Sequence, residues 1–163
     1  QGAVLSAQVD KLPGIIEARQ RAGGWLAKQL QDLPGVVPPP VPDEESGHGY
    51  WGFPLRIVEE ELGASRDEFR EALAAEGVKS DVWIGKPLYL YDALADQISF
   101  GESQWPFKGA GNDPGPYMPG LCPNAETALS QLCNVVRIHE QIGEEDLKTV
   151  ADAIKKVAKG LKG

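Results

Sequence analysis

Ser65-Arg-Asp-Glu-Phe-Arg-Glu-Ala-Leu-Ala-Ala-Glu-Gly77 runs directly into Val78-Lys-Ser-Asp-Val-Trp-Ile84, and this junction decides the fold class. Ser65 and Glu68 have capping-box spacing, in which hydroxyl and carboxylate each satisfy a backbone N–H that the first helical turn leaves free. Phe69, Leu73 and Ala74 follow at helical intervals. Gly77 suits the position just past the helix end, where the chain turns left-handed. The apolar run at 78–84 predicts a strand.

Working outward, residues 51–58 alternate well enough for an earlier strand, with Phe53, Leu55 and Ile57 on one face. Pro54 inside it predicts an edge position or an early bulge, because proline donates nothing to a ladder. Before that, Val4, Leu5, Val9, Leu12, Ile15, Ile16, Trp25, Leu26 and Leu30 predict a long helix or a kinked helical pair over 2–32. Pro13-Gly14 and Gly23-Gly24 are its weak points. Leu33-Pro-Gly35 stops it, and Pro38-Pro-Pro40 with Pro42 reads as a stiff connector.

Downstream, regular structure fades from residue 86 to 120, apart from a short helical turn at 92–96. The rest of that loop carries Trp105, Phe107 and Tyr117 among many Gly and Pro residues, and loops this long in compact domains are functional or disordered. Its aromatic residues favour an ordered loop. Pro123 suits the first turn of a helix reaching about Cys133, and 134–138 reads as a last short strand. Gly143 then caps a helix with Glu144, Glu145 and Asp146 at its positive end and Lys155, Lys156 and Lys159 at its negative end. Leu147, Val150, Ile154, Val157 and Leu161 form its buried stripe. The order helix, strand, helix, strand, loop, helix, strand, helix is an α+β layer, a small sheet covered by helices.

Bulk properties fit one ordinary domain. The 163 residues are 42% hydrophobic and 25% charged, a globular and soluble composition. No apolar run approaches the ~20 residues that span a bilayer, and no signal peptide opens the chain. Gln1 rather than Met leaves open a processed start, a cut or a longer product. The formal net charge of −8, spread through helices, argues against a nucleic-acid partner, which needs Lys and Arg to neutralise phosphates. Cys122 and Cys133 fit no zinc spacing and read as reduced thiols of a cytoplasmic chain. A helix between them would separate them by about 16 Å.

Few residues offer chemistry. Lys79 and Lys86 are the lysines near apolar runs. Lys86, between Gly85 and Pro87, could reach a carboxylate or phosphate, or simply be solvated. Gly109-Ala-Gly-Asn-Asp113 does not sit between a strand and a helix, so it reads as a turn rather than a phosphate cradle. His48 and His139 lack Ser or Cys partners in a triad pattern. Asp43, Glu44 and Glu45, and Glu59, Glu60 and Glu61, read as solvated charge runs rather than acid–base groups or metal ligands. The sharpest candidates are Trp83, Lys86, Tyr89 and Tyr91.

Several stretches resemble the C-terminal domain of the DegT–StrS family of pyridoxal-phosphate-dependent aminotransferases. They are Gln1-Gly-Ala-Val-Leu-Ser-Ala-Gln-Val-Asp-Lys-Leu12 with Glu17-Ala-Arg19, the stretch from Ser65 to Gly77, Tyr117-Met-Pro-Gly-Leu-Cys-Pro-Asn-Ala-Glu126, and Gly143-Glu-Glu-Asp-Leu-Lys-Thr-Val-Ala-Asp-Ala-Ile-Lys-Lys156. The resemblance implies an antiparallel-type sheet like that of the small domain of fold-type I aminotransferases. It implies an interdomain-type helix over 1–35 and an α+β small domain over 36–163, one structural domain overall. It also implies that the Schiff-base lysine, the acid on the pyridinium nitrogen and the phosphate-binding groups lie in a large domain before Gln1. No pyridoxal phosphate would then be held by this chain alone, and its partners would be that large domain or a second copy in a homodimer. The parent activity would transfer an amino group to a keto-sugar or cyclitol. A stand-alone interaction module that self-associates is the other reading. Family members carry a histidine–aromatic pair after the position of Val82. Trp83 and Ile84 stand there instead, with Trp83 either stacking on a sugar or packing in a core or interface.

Overall fold

Leu147, Ala151, Ile154 and Ala158 recur every three to four residues and are buried along one stripe of α7 (Glu144–Leu161). That stripe packs against α2 (Leu12–Leu30) and α4 (Arg66–Ala75). The acidic first turn and Lys159 in the last turn of α7 match the two ends of its dipole, as the sequence predicts. The computed structural model describes residues 1–41, 47–99, 101–102, 105–108 and 115–162. The chain forms two compact units, Gln1–Val82 with Gln131–Gly163, and Trp83–Ser130.

The first unit holds the sheet. Strands β1 (Val36–Val37), β2 (Pro54–Ile57) and β3 (Leu132–Asn134) lie in that spatial order, antiparallel throughout. Register pairs Val36 with Ile57 and Leu55 with Cys133. Phe53, Leu55 and Ile57 are all buried, so the alternation holds. The fold class is therefore α+β, a small antiparallel sheet with helices.

Four sequence expectations change. β2 is the central strand, not an edge, and Pro54 is tolerated because it is the strand's first residue. Residues 78–84 make one bridge instead of a strand: Asp81 N–H donates to Asn134 O at 2.9 Å, and the return bond is 2.8 Å. That pair is an isolated bridge, and residues 82–84 do not continue it along Cys133 and Leu132 of β3. The strand expected at 134–138 lies two residues earlier, because the preceding α6 (Pro123–Gln131) stops before Cys133. β1 falls where only a connector was expected. Its entry depends on Gly35, whose φ of +73° suits glycine and where a Cβ would lie 2.5 Å from Leu62 N.

The N-terminal segment is a helical pair, α1 (Gly2–Val9) and α2, broken at Asp10 and Lys11. Pro13 cannot donate to the carbonyl four residues earlier, so it sits in the first turn of α2, where that donor is not needed. Gly23-Gly24 does not interrupt α2. Gly23 instead gives room for the buried Tyr50 ring, since a Cβ there would lie 2.4 Å from it. Packing, not surface pairing, carries this unit. A buried Leu26 or Ile154 contributes about 1.5–3 kcal/mol, whereas an exposed pair such as Lys156–Glu76 contributes about 0–1 kcal/mol. The capping box at Ser65 forms as the sequence predicts, and a short α3 (Glu59–Leu62) precedes it.

The second unit contains a 3-10 turn (Leu88–Leu90), α5 (Asp92–Ala95) and most of α6. The Phe107 and Tyr117 rings meet edge to face with centroids 6.5 Å apart. Among the described residues, no helix is long and apolar enough to cross a membrane.

Candidate functional site

Pro87 presets the backbone for the 3-10 turn at 88–90, and the Tyr91 carbonyl accepts the N–H groups of Leu94 and Ala95 to open α5. Lys86, Tyr89 and Tyr91 are thereby gathered on one short turn. Lys86 Nζ lies 4.9 Å from the Tyr91 ring centroid and 3.4 Å from Asp92 Oδ1. An ammonium over a tyrosine face at an exposed site contributes about 0.5–1 kcal/mol. It has three donors, so contact with Asp92 leaves capacity for an anionic or hydroxyl-bearing ligand.

Tyr89 is differently engaged. Its hydroxyl donates to the Glu126 carboxylate and accepts the Cys122 N–H at 3.2 Å. Glu126 Oε1 also accepts the Gly120 N–H at 2.7 Å. Gly120 has a φ of +91°, a turn that glycine allows without strain. Desolvation, and then the Glu126 bond, push the Tyr89 phenol above its ordinary value. The Tyr89 bond, and then the Gly120 amide, hold the Glu126 carboxyl below its own. Trp83 is 39% exposed and Ile84 54%, so neither is a core residue of the chain. The structure thus groups three of the four candidates and adds Glu126 and Asp92. Glu126 lies in a stretch that carried the resemblance, but its meeting with Tyr89 across 37 residues has no local signal.

Elsewhere the chemistry is thinner. Lys79 lines an open groove of about 640 Å³ with Arg66 and Arg70. Those arginines are held by Asp67, at 3.0 Å and 3.1 Å, and Arg70 also reaches Ser80. The Arg66 bond is the main cause of a lowered Asp67 carboxyl. A hollow of about 630 Å³ is lined by Ala22, Trp25, Ile142 and Leu147 with charged residues at its rim. His48 and His139 each accept a backbone N–H two residues on, from Tyr50 and Gln141. Glu59, Glu60 and Glu61 are exposed, and Glu61 accepts the Gly35 N–H. The stretches 43–45 and 109–113 lie outside the described residues.

The match to known families is broad. The model of the DegT/DnrJ/EryC1/StrS aminotransferase family covers residues 1–155. The chain belongs to that family. Among solved structures, this DegT/DnrJ/EryC1/StrS chain is similar to S. venezuelae DesV in complex with a ketimine intermediate, at 23% identity and a TM-score of 0.72. The alignment covers 98% of this chain and 36% of DesV. The aminotransferase from Psychrobacter cryohalolentis aligns with a TM-score of 0.72 at 15% identity, over 97% of this chain and 38% of that one. PseC of Helicobacter pylori, an aminotransferase involved in the biosynthesis of pseudoaminic acid, aligns at 0.67 and 17% identity, over 94% and 35%. The chain therefore spans a little over a third of the length of these enzymes.

The family's chemistry sets a test for this chain's own residues. A lysine that forms a Schiff base must be partly deprotonated, which calls for an enclosed apolar or cationic setting. Every lysine lies among the described residues, and none is buried. Lys86, the best placed, is 43% exposed and beside a carboxylate, which favours the charged amine. The residues present do not fit the cofactor's lysine site.

Proposed function

We propose that this chain is the C-terminal small domain of a pyridoxal-phosphate-dependent aminotransferase of keto-sugars or cyclitols, and is not catalytically competent alone. The observation that carries this reading is the family match over 1–155, combined with alignment to only about a third of each enzyme and the absence of any enclosed lysine. Pyridoxal phosphate supplies the electron sink for moving an amino group, and its lysine lies in sequence outside residues 1–163. In the assembled cytoplasmic enzyme, Trp83, Lys86 and Tyr91 line one wall of the sugar site. PseC's part in making pseudoaminic acid favours a sugar substrate for this chain too. Lys86 binds an anionic or hydroxyl group, and the aromatic rings cover the apolar face of the sugar.

A second reading is favoured by α1. Val4, Leu5 and Val9 are 54–67% exposed, and no residue of that helix is buried. This apolar surface is covered by the large domain in the first reading and by a second copy of the chain in a self-associating module. Light scattering during size exclusion separates them: a stable dimer of the isolated chain supports the module, and a monomer supports the first reading. The activity test is amino transfer from L-glutamate to a keto-sugar in the presence of pyridoxal phosphate. The purified chain is expected to add nothing to the rate of pyridoxal phosphate alone, and enzymatic turnover would overturn the proposal.

A further inference from the structure

We infer that Glu126 is the positioning residue of the candidate face. With one carboxylate oxygen it grips the Tyr89 hydroxyl and the Gly120 amide, and so fixes the turn on which Lys86 and Tyr91 stand. Both bonds go to an ionised acceptor and belong to the stronger class of hydrogen bonds. The Tyr89 bond joins two segments 37 residues apart, the 3-10 turn at 88–90 and the first turn of α6, while the Gly120 bond ties that first turn to the loop just before it. Tyr89 lies mid-turn, three residues after Lys86 and two before Tyr91, so a rotation of that turn would carry both groups. The Lys86–Tyr91 stack then depends on where Tyr89 is anchored.

This divides the aromatic cluster by role. The hydroxyl of Tyr89 donates its single proton to Glu126 and accepts from Cys122, so it has no donor left for a ligand. Tyr89 is scaffold, while Lys86 and Tyr91 are the groups presented. The opposite displacements of the two groups, the phenol upward and the carboxyl downward, agree with a neutral phenol held against an ionised carboxylate. The purpose of the positioned face rests on the function proposed above; its geometry does not.

The test uses the whole chain with its lysines carrying 13C-methyl groups introduced by mild reductive methylation, read by NMR. In the wild type, the Lys86 methyl signal is expected to be displaced upfield by the Tyr91 ring current. Glu126→Ala and Tyr89→Phe should return it toward the value of a free lysine. Glu126→Gln, which keeps an acceptor oxygen in place, should retain most of the displacement. Amide exchange at Gly120 should rise about tenfold in Glu126→Ala, as expected for one lost bond of this kind, and far less in Glu126→Gln. Exchange at Leu26 and Ile154 reports folding of the other unit in every variant. Should Glu126→Ala disorder its own unit, Glu126→Gln and Tyr89→Phe decide the matter alone. A Lys86 signal that stays at its wild-type position in Glu126→Ala and Tyr89→Phe overturns the inference. No readout needs a ligand, so that result leaves the aminotransferase reading standing, and failure of that reading leaves this one intact.

Discussion

Gly23 and Gly24 are neighbours in the same helix, and alanine at the two positions should act with opposite sign. Alanine is favoured over glycine inside a helix by about 0.5–1 kcal/mol. At Gly24 a Cβ meets nothing within 4 Å, so Gly24→Ala should gain that amount. At Gly23 the added Cβ would stand 2.4 Å from Tyr50 Cγ and Cδ1. Carbon atoms in good contact sit about 3.5–4.0 Å apart, so the ring must retreat by about 1 Å or more. Tyr50 has little room for this: it is 1% exposed, with the His48 ring 4.3 Å away on one side and Phe53 at 6.2 Å on another. Overpacking of this kind costs about 1–3 kcal/mol, which leaves Gly23→Ala destabilised by up to about 2.5 kcal/mol after the helix gain is subtracted. For a chain of this size each kcal/mol moves Tm by about 2–4 °C. Thermal unfolding followed by circular dichroism should therefore show Gly23→Ala below the wild type and Gly24→Ala above it. Equal stabilisation by both variants would refute the claim that α2 approaches Tyr50 through the missing Cβ.

Other perturbations test other parts of the account. Ile154→Ala removes a fully buried side chain from the α7 stripe and should cost about 2–5 kcal/mol, read as a lower urea midpoint. Ser65→Ala breaks the capping box at α4 and should cost about 0.5–2 kcal/mol on the same measurement. The carboxyls of Asp67, Glu68 and Glu126 are all held below their ordinary values, so each contributes stability above the ordinary carboxylate range and loses it as pH falls through its lowered value. The urea midpoint should accordingly fall on acidification below the carboxylate range, and Glu68→Gln should flatten that fall. Burial pushes the Cys133 thiol up to about 11, while Cys122 is exposed. A disulfide reagent at neutral pH should titrate one thiol in the native chain and two in denaturant.

The legible parts of this fold are those written in a few neighbouring residues. The Ser65 capping box and the α7 stripe each fit within one element; the box forms as read, and the stripe buries Leu147, Ile154 and Val157 as read, with Val150 and Leu161 half-buried and only Lys159 of the three lysines in the last turn. The expected edge position of Pro54 failed because sheet order is a long-range property. What makes β2 central is its pairing with β1 on one side and β3 on the other. β1 itself is two residues long, and its cue is the backbone accommodation of Gly35 against Leu62, which no periodicity reveals. Residues 78–84 carry a good strand composition but make only the single bridge Asp81–Asn134, so composition alone did not make a strand there. The candidate face divides the same way. Lys86, Tyr91 and Asp92 fall within seven consecutive positions, so their proximity follows from the chain itself. Glu126 reaches Tyr89 only because the intervening loop returns, and the acid in the first turn of α6 looks from sequence like a simple match to the helix dipole.

The central claim is that the catalytic lysine lies outside these residues, and trapping tests it most directly. The chain would be incubated with pyridoxal phosphate at neutral pH, reduced with borohydride, digested and mapped by mass spectrometry. The account expects only low, scattered modification across the exposed lysines and no absorbance band of a defined internal Schiff base. A single lysine, Lys86 or any other, labelled to about one equivalent per chain would contradict it.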